Sequence, residues 1–216
     1  MNIHECVEKW QSEDGVGFFT QMDFPRNSVY LDCGCGYGEY TVALAQSDLT
    51  STVYAIDTNI EKLKIVEEKI AKIGIANVKL LETDFIEGNA ISGNYADVVL
   101  MYDLIHSNNK ITKMPMRFDF IKAAKRILKP NAILSIAPFH CTYLKDINGK
   151  GTRYSLKKLI NEIEEYGFTF NKRFTGAIHF VDYHKSSQWE KFNGDMPFEH
   201  LERGITLNFY ANDHRK

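Results

Sequence analysis

Three carboxylates at the ends of apolar runs, with alternating glycines beside the first, are the residues here whose types and spacing could do chemistry. Asp32 closes the run Val29–Leu31 and is followed by Gly34, Gly36 and Gly38. Asp57 closes a second run from Thr52, with Thr58 beside it, and Asp84 follows a third, just before Phe85. Glycine adopts conformations closed to other residues and lets a ligand approach the main chain. A helix starting beyond Gly38 would point its free N–H groups back at the loop. The result is a strand–loop–helix cradle for a nucleoside-like ligand. A carboxylate at the end of a second strand suits two ribose hydroxyls; the alternative for Asp57 is a cap on the next helix. Asp32 would repel a pyrophosphate but could hold an ammonium group. His106 and His140 follow the fourth and fifth apolar runs and are candidate bases for a hydroxyl or ammonium proton. The alternative for each is a loop histidine or a hydrogen-bonding group behind the site.

The spacing separates two nucleoside ligands. A dinucleotide fingerprint reads G-x-G-x-x-G, whereas here the third glycine comes one residue early and an acid stands two residues before the first. Asp32-Cys33-Gly34-Cys35-Gly36-Tyr37-Gly38 resembles motif I, D/E-x-G-x-G-x-G, of the class I S-adenosylmethionine (SAM) dependent methyltransferases. The run Val98–Met101 with Tyr102, Asp103 and His106 beyond it resembles motif IV, and Leu128-Lys129-Pro130-Asn131 is close to the family's L-K-P-G turn. The resemblance covers about residues 28–211 and is nearest the small-molecule, ubiquinone-biosynthesis-like branch. It implies SAM as cofactor, held by Asp32, Gly34, Cys35, Gly36, Tyr37, Gly38, Asp57, Thr58, Asp84, Phe85 and Tyr102. Asp84 would accept a hydrogen bond from the adenine amino group while Phe85 packs on the ring. It also implies an α/β, Rossmann-like three-layer sandwich: a mostly parallel seven-stranded sheet, order 3-2-1-4-5-7-6, ending in an antiparallel hairpin. The rival readings are a non-catalytic nucleotide- or SAM-binding module and an NAD-dependent oxidoreductase with a similar loop.

The elements that must position these residues are legible in the periodicity. Leu63, Val66, Ile70 and Ile73 are spaced for a helix over 59–73, with Gly74 at its C-cap. Val98–Met101 is the continuous apolar run of a central parallel strand. Met114, Phe118, Ile121 and Leu128 predict a helix over 112–128, followed by a strand over 132–137. Ser155 caps a helix closed by Gly167, and 168–174 and 205–210 alternate as two final strands. Residues 1–28 carry a helical segment and the aromatics Phe18, Phe19 and Phe24. That segment either helps close the cofactor cleft or packs its apolar side on the core.

At 216 residues, with 44% hydrophobic and 25% charged residues, the chain suits one domain. A formal net charge of −2 gives no global pull toward nucleic acid. No apolar run approaches the ~20 residues of a membrane span, and the N-terminus lacks a signal-peptide pattern. The four cysteines read as free thiols of a cytoplasmic protein. The expected partner is a small-molecule methyl acceptor, with no membrane and nucleic acid disfavoured: no Asn-Pro-Pro-Tyr-type motif, zinc-type cysteine cluster or basic appendage is present. The long connection 176–203 reads as a lid or a homodimer contact. Its His179, Asp182 and His184 invite a metal, but a strand would put 179 opposite the other two, so none is expected. The acceptor is expected between His106, Phe139, His140 and this connection, beneath Phe18 and Phe19.

Overall fold

The computed structural model describes residues 3–87, 90–138, 143–178 and 204–213. Its N-terminal segment is a helix α1 (Ile3–Trp10), a π-helical turn Gln11–Gly15 and a short helix α2 (Val16–Thr20). Then come β1 (Val29–Cys33), α3 (Thr41–Ser47), β2 (Thr52–Asp57), α4 (Ile60–Ile73), β3 (Val78–Glu82) and β4 (Ala96–Tyr102). The second half holds α5 (Arg117–Ile127), β5 (Leu128–Ala137), β6 (Tyr143–Lys145), β7 (Gly151–Arg153), α6 (Leu156–Glu164), β8 (Phe168–Phe174) and β9 (Thr206–Ala211).

Seven strands form one sheet in the order β3-β2-β1-β4-β5-β9-β8. The first five are parallel, and β9 runs antiparallel to both β5 and β8. This is the expected order once the separate β6–β7 hairpin is set aside. Strand alternation divides the core into layers. Leu31, Val99 and Met101 pack toward α5 and α6, while Tyr30, Val98, Leu100 and Tyr102 pack toward the N-terminal aromatics. The order reverses between β1 and β4, and a crevice opens where neighbouring crossovers diverge to opposite sides.

Local chemistry sets most boundaries. Gly74 closes α4 at φ 73°, and Asn131 takes φ 62° in the turn inside β5. Ser155 caps α6 by accepting the Lys158 N–H at 3.1 Å. The helix over 112–128 is corrected to Arg117–Ile127, because Asn109 Oδ1 accepts the Ile111 and Thr112 N–H groups and folds 107–116 into a loop. The hairpin β6–β7 has no counterpart in the strands expected from the sequence. It is fixed by Arg117, which is fully buried and donates from Nε and Nη2 to the two Glu162 carboxylate oxygens at 2.6 and 2.9 Å. The same guanidinium donates to the Tyr154 hydroxyl at 2.6 Å and to the Lys145 carbonyl.

Phe18 and Phe19 are core residues, not the roof of an open pocket: they pack with Trp10, Tyr40 and Tyr102. Asp97, at the start of β4, accepts the Val29 N–H at 2.9 Å and pairs with Lys129 at 2.7 Å, a structural role at the far end of the strands. Asp48 organises the turn before β2. It accepts the Thr50 N–H at 3.0 Å and hydroxyl at 2.6 Å, and the Ser51 hydroxyl. Burial alone would raise its pKa, but the Ser51 and Thr50 hydrogen bonds outweigh burial and hold it at about 2. A depressed carboxylate stabilises the fold above its unfolded value, and that contribution fades as pH falls toward 2. Asp48→Ala is expected to cost about 2–3 kcal/mol at pH 7, read as a lower thermal midpoint, with the deficit shrinking toward pH 2.

Candidate functional site

The C-terminal ends of β1, β2, β3 and β4 open into one cleft of about 730 Å³. Asp32, Gly34, Gly36, Tyr37, Asp57, Thr58, Asp84, Phe85 and Tyr102 all line it, so nine of the eleven residues expected to hold the cofactor are brought together. Gly38 and Cys35 stand behind the loop. Gly38 carries φ 78°, and a Cβ there would come 3.1 Å from Val66 of α4, so it sets how closely loop and helix pack. The Cys35 side chain packs with Val42, Leu63 and Val66, and burial raises its thiol pKa far above the ordinary value. Only its backbone belongs to the loop.

Of the three loop glycines, Gly34 has the tightest requirement. At φ 70°, a Cβ would lie 2.6 Å from Leu104 of the loop after β4. Its N–H and that of Cys35 both donate to the Ile56 carbonyl, at 2.7 and 2.9 Å, tying the loop to β2. Asp57 adds a second tie: Oδ2 accepts the Gly36 N–H at 3.1 Å and Oδ1 the Asn59 N–H at 2.9 Å. The cap of α4 is Asn59, whose side chain accepts from Glu61 and Lys62, and not Asp57. Asp84 Oδ1 accepts the Ile86 N–H at 2.8 Å, and Phe85 stacks on Phe120 with ring centroids 5.6 Å apart. These two close the cleft opposite the glycine loop.

Asp32 is 3% exposed and accepts the Thr41 hydroxyl at 2.6 Å. Burial, with smaller pushes from Glu39 and Asp57, raises its pKa to about 7 against the one opposing hydrogen bond from Thr41. A carboxylate so placed gains most from a cation brought to it.

Tyr102 borders the cleft, yet its hydroxyl is engaged by Ser135 at 2.8 Å and Met22 Sδ at 3.6 Å. His106 is half-buried, with Nδ1 3.3 Å from Asp103 Oδ1. Burial holds the imidazole below its ordinary 6.5. The cleft wall there is built by Asp103 and Leu104. His140 and Phe139 lie outside the described residues, as do His179, Asp182 and His184.

Sequence reasoning missed Glu39 and Gln11, and it placed Asp103 at the functional end of β4 without giving it a role. Glu39 Oε2 accepts the Tyr37 N–H at 3.0 Å across the loop. Gln11, in the π-helical turn, donates to the Gly38 and Glu39 carbonyls at 2.9 and 2.8 Å and clamps the loop from the N-terminal side. Trp10 Nε1 donates to the Gly176 carbonyl at 2.8 Å, so one segment touches both the loop and the start of the 176–203 connection. A lone glutamine carries no sequence signal.

A family model described as a methyltransferase domain matches residues 25–194. The chain belongs to the methyltransferase domain family. It is 28% identical over 126 residues to a demethylmenaquinone methyltransferase of Geobacillus stearothermophilus, covering 58% of this chain and 49% of that one. It is also 26% identical over 183 residues to a tRNA (guanine-N(7)-)-methyltransferase of Streptococcus thermophilus, covering 80% and 76%. The chain spans about half the length of the first of these relatives. Among solved structures, a SAM-dependent methyltransferase from Aquifex aeolicus superposes with a TM-score of 0.62 at 19% identity, over 95% of this chain and 96% of that one. A magnesium protoporphyrin IX methyltransferase from Synechocystis with bound SAM gives a TM-score of 0.59 at 15% identity, over 98% and 82%. The methyltransferase domain thus accounts for the strand order and for the crevice between β1 and β4. Among its described residues no helix is long and apolar enough to cross a membrane.

Proposed function

We propose that this methyltransferase domain binds SAM in the β1–β4 cleft and transfers its methyl group to a small-molecule acceptor. The observation that carries the reading is Asp32: a fully buried carboxylate, raised to about 7, lining a cleft beside a loop of three positive-φ glycines. The donor set fits the ligand. Asp32 would hold the amino-acid ammonium, Asp57 the ribose hydroxyls, and Asp84 with Phe85 the adenine amino group and ring face. Gly34 leaves no space for a side chain against Leu104 and Gly38 little against Val66, so the loop keeps its close course along the cleft. A carboxylate at Asp32 is unsuited to a dinucleotide pyrophosphate, which disfavours the oxidoreductase reading.

When bound, SAM supplies an electrophilic methyl group on a sulfonium. The protein then has to align the reacting atoms, and alignment alone can contribute ~7–11 kcal/mol. The sequence offers His106 and His140 for a proton transfer; His106, whose Nδ1 is 3.3 Å from Asp103 Oδ1, does not itself line the cleft and would act through Asp103. A small acceptor is favoured by the net charge of −2. A second reading, an RNA acceptor, is favoured by the longer match to the tRNA methyltransferase.

Calorimetric titration with S-adenosylhomocysteine tests the binding reading. Micromolar binding is expected, and Asp57→Ala is expected to weaken it by about 1–3 kcal/mol. Absence of binding up to millimolar ligand would overturn the proposal. Binding that survives while NADH competes for the site would favour the oxidoreductase. Tight, salt-sensitive binding of tRNA would favour the second reading of the acceptor.

A further inference from the structure

Tyr40 is the one aromatic of the N-terminal core cluster whose polar end is left over. It is 6% exposed, packs edge-on against Trp10 and Tyr102, and lines the cleft. Its hydroxyl is buried without a hydrogen-bond partner among the described residues. A buried hydroxyl with no partner costs stability of the same order as a lost hydrogen bond, and a phenylalanine would fill the same space without that cost. The neighbouring Tyr102 hydroxyl shows the contrast, since it is satisfied by Ser135. Tyr40 therefore carries a polar group that no described residue of the folded protein satisfies.

Asp103 lines the same cleft and directly follows β4. It adopts φ 56°, a left-handed conformation uncommon for a residue with a side chain. Aspartate tolerates that conformation better than most residues, and the surroundings hold its side chain in one direction. Here the holding contacts are the Asp103 N–H donating to the Ala137 carbonyl at 3.3 Å and His106 Nδ1 at 3.3 Å from Oδ1. β4 adjoins β1, the strand that carries Asp32, across the point where strand order reverses. Asp32 and Asp103 thus stand at the ends of the two strands that flank the crevice.

Resting on the reading of the cleft as a SAM site, we propose that Tyr40 and Asp103 receive the attacking atom of the acceptor, and that this atom is a protic one, a hydroxyl or an amine. Ribose and adenine contacts engage the β2 and β3 ends, and the ammonium contact engages β1. The β4 end is left for the incoming nucleophile. A carboxylate there accepts an X–H donor, and a phenol there both donates to and accepts from the same atom. In the transfer, the lone pair of the acceptor oxygen or nitrogen forms the bond to the methyl carbon. The carbon–sulfur pair returns to sulfur, leaving a neutral thioether. The acceptor proton passes to the Asp103 carboxylate and from there to water. His106 is then a positioning residue: its imidazole buttresses Asp103 without reaching the substrate.

The test needs no acceptor. Sinefungin carries an amine-bearing carbon where SAM carries its methylated sulfur, so its ammonium probes the receiving site directly. S-adenosylhomocysteine has nothing there. The full chain is expected to bind sinefungin at least as tightly as S-adenosylhomocysteine. Tyr40→Phe and Asp103→Asn are each expected to weaken sinefungin about tenfold while changing S-adenosylhomocysteine less than twofold. Both replacements keep shape, and asparagine is among the residues best tolerated at positive φ. His106→Gln is expected to weaken sinefungin by a smaller factor. If the variants weaken both ligands alike, or neither, the receiving-site assignment fails while the SAM site stands. If S-adenosylhomocysteine does not bind the unaltered protein, the cofactor reading fails and takes this one with it.

Discussion

Asp32→Asn is expected to leave the ligand-free protein more stable at pH 8 and at the same time to weaken S-adenosylhomocysteine at least a hundredfold. The two effects have one cause. In the free protein burial raises the Asp32 carboxyl from 3.8 to about 7. A raised acid contributes its full stability below its unfolded value and loses it as pH climbs through the folded one. The native state is therefore progressively penalised between about pH 4 and pH 7, and above pH 7 it carries a buried charge with the Thr41 hydroxyl as hydrogen-bond partner. At about 1.4 kcal/mol per pH unit of displacement, that penalty is on the order of 4 kcal/mol. Asparagine keeps the shape, still accepts from Thr41 and removes the charge. If Asp32 meets the ammonium as proposed, the cationic end of the ligand then loses a buried counter-charge.

A proton count separates this account from a simple loss of fit. At pH 6 most Asp32 is protonated in the free protein, and binding an ammonium beside it must release that proton. Calorimetry in buffers of different ionisation enthalpy should show close to one proton released at pH 6 and almost none at pH 8. Affinity should fall by up to tenfold per pH unit below 7. Asp32→Asn should abolish both the release and the slope. Binding that takes up or releases no proton at pH 6 would mean that Asp32 does not meet the ammonium.

The glycine loop and the strand-end acids were legible because their signal is local. Asp32, Asp57 and Asp84 each close an apolar run, and parallel βα units carry every such run to the same edge of the sheet. The strand order followed from the same alternation together with the resemblance. Other features depend on long-range contacts that leave no periodic trace. Strands of three residues, as in β6 and β7, are too short to alternate measurably. Apolar spacing starts the helix at 112, five residues too early, because Met114 falls on it, while the side-chain turn at Asn109 decides the backbone. Spacing cannot say which way Cys35 points, since any residue between two loop glycines offers its backbone alike. Phe18 and Phe19 read equally as cover or core until Trp10, Tyr40 and Tyr102 are seen around them. Gln11 matters because of two carbonyls 27 and 28 residues away.

Arg117→Ala is expected to be the most destabilising single change in the second half of the chain, at about 3–5 kcal/mol. The guanidinium is fully buried and holds three groups at once: the Glu162 carboxylate of α6, the Tyr154 hydroxyl, and the Lys145 carbonyl of β6. It also lies over the Phe118 and Tyr154 rings, 4.2 and 5.0 Å from their centroids. Alanine would strand the Glu162 carboxylate, leaving only the Tyr154 hydroxyl at 2.6 Å. Lysine is a poor substitute, because one ammonium cannot match both carboxylate oxygens and the carbonyl. For a chain of this length the loss corresponds to a fall of about 10 °C in thermal midpoint. The damage should spread toward the cleft, since Lys145 Nζ also donates to the Lys113 carbonyl in the 107–116 loop, whose Asn109 and Ile111 line that cleft. Hydrogen exchange should therefore quicken in 107–116 and 143–153 and stay slow in β1 and β4. The double change Arg117→Met with Glu162→Leu removes both charges and should recover most of the midpoint. If Arg117→Ala shifts the midpoint by less than 2 °C, or the double change is worse than the single one, the network is not what fastens the hairpin to the sheet.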